Sequence, residues 1–226
     1  MSKPLPSVID GYVRDGLVLC FDGYQPPAGG VWKDLSGSGN DMVLGADATH
    51  NVTDHCLNFG SSNGCKTPKS VPFRGGSTGL TLEAVFRVSA KKGLLFQNTA
   101  VKWPSRPSFG LGVFYLPYLG DNNNDILFNG GYNLDNPAAC QLLVRGGANV
   151  AYSCRCTPTE RWYKNTGTTA FNDADATLVW GLDTAGALDL MCIRLYTRKL
   201  TNDEILNNRA LDIKRFALEG SNTTII

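Results

Sequence analysis

The chain has 226 residues, 42% of them apolar and only 18% charged, with a formal net charge of +1. That balance describes a chain that buries a sizeable core, and it excludes a disordered tail. Lys and Arg are scattered and no apolar run approaches the ~18 residues of a membrane span, so nucleic acid is excluded as a partner and membrane insertion as a location.

The length, with no internal repeat or low-complexity linker, predicts one domain over residues 11–218, an N-terminal arm at 1–10 and a C-terminal tail at 219–226. The opening Met1-Ser-Lys-Pro-Leu-Pro has no apolar h-region. The chain is therefore expected to be made in a cytoplasm and to leave it only within a larger particle or by lysis. Seven cysteines, at 20, 56, 65, 140, 154, 156 and 192, are odd in number and show no disulfide-scaffold spacing. Reduced, buried thiols are expected, with a metal or redox role for Cys154 and Cys156 as the lesser alternative.

Taken in chain order, residues 15–22 form an apolar strand, followed by a Pro/Gly loop and by Val31-Trp-Lys-Asp-Leu-Ser-Gly-Ser-Gly-Asn40. In that turn Asp34, Ser36 and Asn40 are suited to bond nearby backbone, Gly37 and Gly39 to take positive φ, and Trp32 to anchor the loop to the core. A strand is expected at Cys56-Leu-Asn-Phe-Gly60. Residues 80–88 alternate cleanly, with Leu80, Leu82, Ala84, Phe86 and Val88 on one face, the pattern of a strand buried on one side. Shorter strands follow at 93–96, 109–115, 125–128, 141–144, 150–154 and 177–180.

Residues 188–196 read as a strand buried on both faces, which calls for a second layer. Met191, Ile193 and Leu195 point one way; Leu190, Cys192 and Tyr196 point the other. Thr201 with Glu204 three residues on is a capping-box pattern, and Asp203 and Glu204 suit the positive end of the helix dipole. Ile205, Leu206, Ala210, Ile213 and Phe216 then supply an apolar stripe. Many short strands broken by Gly, Pro and Asn, closed by one helix, make the fold class all-β: a two-sheet antiparallel β-sandwich with a short C-terminal helix.

Several of these segments carry a family resemblance. Ile193, Arg194, Tyr196, Arg198, Leu200, Thr201, Glu204 and Ile205 occupy the places of an Ile-Arg-X-Tyr-X-Arg-X-Leu strand leading into a Thr/Ser-X-X-Glu-Ile helix. Residues 32–40 match a Trp-X-Asp-Leu-Ser-Gly-X-Gly-Asn turn, and residues 56–60 an Ala-Leu-X-Phe-Asp/Gly strand. The chain thereby resembles the laminin-G-like, concanavalin A-like jelly rolls of bacterial and bacteriophage proteins, and residues 210–216 resemble tails common in phage and gut-bacterial members. The resemblance covers residues 11–96 and 170–217 and weakens over 97–169, where ligand-specific variation is expected.

Enzymes of the resembled fold that cut β-glucans use a Glu-X-Asp-X-X-Glu strand. Here the four glutamates, 83, 160, 204 and 219, do not pair on one strand. The two histidines, His50 and His55, lie in an irregular segment and bring no hydrolytic triad with them. No catalytic residue is assigned. His50, His55, Cys56 and Cys65 have the residue types of a zinc site at a spacing that matches no standard one, and loop histidines beside core cysteines are the favoured reading. Asp121, Asn123 and Asp125 repeat the opening spacing of a calcium loop but lack its glycine and closing glutamate; a solvated turn competes with a calcium site. Trp103, Tyr115, Tyr118, Tyr132, Trp162 and Tyr163 are the candidate carbohydrate-stacking residues, with core or subunit interface as the competing use of each.

The expected function is a non-catalytic binding or structural module: a bacteriophage virion surface protein, such as a decoration protein, fibre or tail adhesin, that binds glycans. Its expected partners are a glycan or host-surface receptor, other virion proteins and further copies of itself, and its expected location is the virion. The alternative is a bacterial carbohydrate-binding module or a glycoside-active enzyme fragment.

Overall fold

The computed structural model describes residues 9–60, 64–73, 78–88, 93–98, 108–111, 117–120, 126–127, 140–145, 150–156, 161–167, 174–182 and 188–217. Its strands are β1 (Leu17–Asp22), β2 (Val31–Trp32), β3 (Met42–Val43), β4 (Thr49–Asn51), β5 (Cys56–Asn58), β6 (Cys65–Phe73), β7 (Thr81–Val88) and β8 (Gly93–Asn98). There follow β9 (Ser108–Leu111), β10 (Pro117–Gly120), β11 (Ile126–Leu127), β12 (Cys140–Arg145), β13 (Val150–Cys156), β14 (Arg161–Gly167), β15 (Ala174–Leu182) and β16 (Leu188–Tyr196), then the helix α1 (Asn202–Arg215).

The described strands form two eight-stranded antiparallel sheets. Sheet A has the order β14-β13-β12-β7-β16-β5-β4, with β1 also paired to β16; sheet B runs β11-β10-β9-β8-β15-β6-β3-β2. This is the expected all-β, two-sheet antiparallel β-sandwich closed by a C-terminal helix. Strands β8–β14 are the outer strands at one end of each sheet's order. Strands β8–β11 extend sheet B beyond β15, and β12–β14 extend sheet A beyond β7.

Between the sheets, Leu19 and Phe21 of β1, Leu82, Ala84 and Phe86 of β7, and Ile193 and Leu195 of β16 meet Val71 and Phe73 of β6 and Leu178 and Trp180 of β15. Phe21 stacks on Trp32 with centroids 5.3 Å apart and meets Trp180 edge-on at 5.5 Å. The loop that delivers Trp32 is held by Asp34, which accepts from the backbone N–H of Cys20, Ser36 and Asn40 and from the Ser36 hydroxyl. Gly37 and Gly39 have φ of 90° and 72°, as the turn requires.

Three expectations need correction. Strand β7 is buried on both faces rather than one: Thr81, Glu83 and Val85 are as inaccessible as Leu82, Ala84 and Phe86. The reason is α1, whose Asn208 bonds Glu83 and whose C-terminal Phe216 packs in the cluster of Val85. Strand β16 does not alternate strictly, because its register against β7 shifts between Leu190 and Cys192. Leu190, Ile193 and Leu195 therefore pack between the sheets, while Met191 joins Cys192 in the cluster on the helix side. Finally, the buried face of α1 is not the apolar stripe. It consists of Ile205, Asn208, Arg209, Asp212 and the capping Phe216, while Ala210 is exposed and Leu206 and Ile213 are half-buried. Two charges on the sheet beneath, Glu83 and Arg194, call for polar partners, and the helix turns its polar residues to meet them.

The capping box itself is as expected. The Glu204 amide donates to Thr201 Oγ1 at 3.3 Å and the Thr201 amide to Glu204 Oε2 at 2.8 Å. Cys20, Cys56, Cys65 and Cys192 are free, buried thiols.

Candidate ligand-binding face

In an antiparallel sheet, directly opposed residues share a face, and every second residue of a strand returns to it. Three rows of sheet A therefore lie on the face turned away from sheet B. One runs Asp22, Cys192, Val85, Gln141, Arg155, Trp162. The next runs Cys20, Arg194, Glu83, Leu143, Ser153, Lys164. The third runs Leu17, Tyr196, Thr81, Arg145, Ala151, Thr166.

The first three positions of each row are buried beneath α1 and the turn that leads into it, where the Thr81 hydroxyl donates to the Arg198 carbonyl and accepts from the Leu200 amide. Arg194 donates from Nε to Glu83 Oε2 at 2.9 Å and from Nη1 and Nη2 to the two oxygens of Asp212 at 3.0 and 2.5 Å. Asn208 donates to Glu83 Oε2 at 2.8 Å, and the Tyr12 hydroxyl donates to Asp212 Oδ1 at 2.8 Å. At the helix end Arg215 forks onto Asp22 at 2.7 and 2.8 Å. Burial pushes the Glu83 and Asp22 carboxyls above their ordinary values, against the pull of Arg194 and Arg215 respectively. Arg194 is held well above the ordinary arginine value because Asp212 and Glu83 outweigh its burial. This cluster joins helix to sheet. With Glu83 and Arg194 at 0% and 1% exposure, it offers no surface to a ligand.

Beyond β7 the same face continues over β12–β14, and its residue types change. Its nine positions hold Arg145, Arg155 and Lys164 but no carboxylate, with Trp162 on the edge strand directly opposite Arg155. An aromatic ring, guanidinium groups and an amide at neighbouring register positions are the residue types that hold a sugar, the ring through apolar contact and the polar groups through its hydroxyls.

The candidate stacking residues separate in this frame. Trp162 falls on the face away from sheet B. Its neighbour Tyr163 falls in the row Ile193, Ala84, Leu142, Cys154, Tyr163, which faces sheet B. Tyr118 belongs to sheet B, opposite Gly110 and Leu127. Trp103, Tyr115 and Tyr132, and the candidate calcium ligands Asp121, Asn123 and Asp125, lie outside the described residues.

Sequence reading missed Gln141, Arg145, Arg155 and Lys164. The signal was present as alternation, but only the strand register shows that three separate segments contribute to one face. Both histidines have structural contacts: His50 Nε2 donates to the Gly23 carbonyl at 2.8 Å, and His55 stacks on Tyr24 with centroids 3.6 Å apart. Among the described residues no group of three or more His, Cys, Asp or Glu is placed to hold a metal ion.

No protein-family model matches the chain, and no characterised protein matches it in sequence. Solved structures do match its fold. The sialidase of Trypanosoma rangeli in complex with sialic acid superposes with a TM-score of 0.58 at 14% identity, over 89% of this chain and 33% of the sialidase. The binding domain of botulinum neurotoxin serotype D gives a TM-score of 0.63 at 14% identity, over 88% of this chain and 52% of the toxin chain. The binding domain of botulinum neurotoxin DC in complex with SialylT gives 0.61 at 12% identity, with the same coverage. What is shared is the β-sandwich. This chain spans about a third of the sialidase and about half of the toxin chains.

Proposed function

We propose that the protein is a non-catalytic glycan-binding module and that its ligand lies on the β12–β14 face of sheet A, with Trp162 as the stacking platform. The observation that carries this reading is the row Gln141, Arg155, Trp162, which sets an aromatic residue beside hydrogen-bonding residues on a face away from sheet B. Two structural neighbours, the sialidase and the neurotoxin DC binding domain, were solved with sialic acid and with SialylT, and this supports a sugar as ligand. Glu83 and Glu204 support binding rather than turnover. The first is sealed beneath α1, and the oxygens of the second are taken by Arg198 and the helix cap.

A glycan array on the purified protein, run with and without calcium, tests the reading: defined glycans should be retained, and Trp162→Ala should abolish the signal. An empty array, or an unchanged Trp162→Ala pattern, overturns it. We further propose residence on a phage particle, as a decoration protein, fibre or tail adhesin in contact with other virion proteins, on the resemblance of the chain, and of residues 210–216 in particular, to bacteriophage jelly rolls. Co-purification of the protein with phage particles is its test.

A further inference from the structure

We infer that the ligand of this face carries a carboxylate, so that the protein prefers acidic glycans, whether sialylated or uronic, over neutral ones. The inference rests on the glycan-binding reading and names the substrate class for the same site.

The argument starts from charge. Along the chain the cations are scattered and nearly balanced by acids, with 21 Lys and Arg against 20 Asp and Glu. Strand pairing undoes that balance locally. The nine positions that β12–β14 contribute to the face away from sheet B include Arg145, Arg155 and Lys164 and not one acid. Directly opposed residues of an antiparallel pair are spaced about 5 Å apart, and the next residue along the same face of a strand about 7 Å. Arg155 is the direct partner of Trp162, and Lys164 follows Trp162 by two residues on β14. A pyranose is about that size. A ring stacked at Trp162 would therefore hold its substituents within range of one guanidinium and one ammonium group.

A neutral sugar uses such groups as ordinary donors. A carboxylate uses them as charge-assisted ones, and the planar guanidinium fork matches its two oxygens. Three cations at the nine described register positions, with no acid among them, favour a ligand that brings the counter-charge. Gln141, across from Arg155 on its other side, adds an amide able to bond sugar hydroxyls without altering the charge.

Isothermal titration of the full chain with 3′-sialyllactose, a galacturonate trisaccharide and lactose tests this. At least one acidic probe should bind about tenfold or more tighter than lactose, the worth of one charge-assisted bidentate contact. Arg155→Gln should bring that probe down to the level of lactose, whereas Trp162→Ala should weaken every probe that binds. Arg155→Lys, which keeps the charge and loses the fork, should retain part of the preference. Should Arg155→Gln fail to fold, the salt dependence of the wild-type protein decides: affinity for the acidic probe should fall with added salt while that for lactose holds. Lactose binding as tightly as both acidic probes, or a preference unchanged in Arg155→Gln, overturns the carboxylate inference. The glycan reading then still stands if Trp162→Ala abolishes binding of lactose. An absence of binding to any glycan overturns both.

Discussion

Arg194 and Glu83 sit at directly paired positions of β16 and β7, joined at 2.9 Å by Nε–H···Oε2, with side chains 1% and 0% exposed. Asp212 reaches down from α1 to take the rest of the guanidinium. A cation between two carboxylates in a dry joint is stable only as a complete set, since each charge has lost its water. Glu83→Ala and Asp212→Ala should therefore each cost about 3–5 kcal/mol, because each leaves Arg194 short of a partner. Replacing all three with apolar residues of similar volume should cost far less than either single change. Urea unfolding monitored by tryptophan fluorescence measures both; equal losses for the single and triple variants would contradict this account.

Trp180 is fully buried, and its indole N–H donates to Thr67 Oγ1 at 2.7 Å across β15 and β6. Thr67→Val keeps the side-chain shape and removes the acceptor. A buried unpaired donor costs about 1–3 kcal/mol, and the same unfolding measurement should show a loss of that size. Thr67→Ser, which keeps a hydroxyl, should lose less.

The contrast between these two contacts shows what the sequence made legible. The intersheet core was readable from alternation, and the helix start from Thr201 and Glu204, because both are local patterns with one physical cause each. The helix-side joint was not. Asn208, Arg209 and Asp212 look like a solvated helix face until Glu83 and Arg194 are known to lie beneath it, and that is a fact of pairing between strands more than 100 residues apart. The one local warning was a charge in the middle of each of two apolar strands, Glu83 in β7 and Arg194 in β16. The bulge at Met191 was hidden for the same reason, since strict alternation is the default reading and a register shift leaves no mark in composition. The candidate site was legible only in part. Trp162 was found by type, while Arg145, Arg155 and Lys164 come beside it only through the ladder of β12, β13 and β14.

The thiols give a chemical test of the core. Cys20, Cys56, Cys65 and Cys192 are buried, and burial pushes all four above the ordinary thiol value. The thiolate is the reactive species, so low access and a raised pKa act together. In the native protein at mildly alkaline pH, alkylation followed by peptide mass mapping should find these four unmodified, and denaturant should make all of them react. Fast native labelling of Cys20 or Cys192 would contradict the packing of α1 on sheet A.

Gly181 has φ of +68° inside β15, and a Cβ built there would lie 2.3 Å from Cβ of Phe59. The left-handed backbone and the clash both oppose a side chain, and Phe59 is itself packed against Trp180. Gly181→Ala should cost at least about 2 kcal/mol, from backbone strain together with overpacking. A thermal melt matching that of the unaltered protein would show that the strand relaxes around the methyl group.

Glu204 accepts from Arg198 Nη1 and Nη2 at 2.9 and 2.6 Å and from the Thr201 amide at 2.8 Å. Arg198 first, with the cap amide, lowers its carboxyl from the ordinary 4.5 to about 2. A carboxyl depressed in the folded state stabilises the protein fully above its unfolded value, and that contribution fades as pH falls from 4.5 through about 2. Glu83 and Asp22 act in the opposite sense: burial raises them, so their titration favours the folded state as protons are added. The Glu204 effect must therefore be read as a difference between the unaltered protein and Glu204→Gln, which keeps the cap geometry without the charge. Because Glu204 and Arg198 are both partly exposed, solvent and salt screen the pair, and the difference at neutral pH should be about 1 kcal/mol or less. It should shrink toward zero as pH drops below the folded value and shrink again at high salt. No difference at neutral pH would mean that Glu204 acts through cap geometry alone and that its charge contributes nothing.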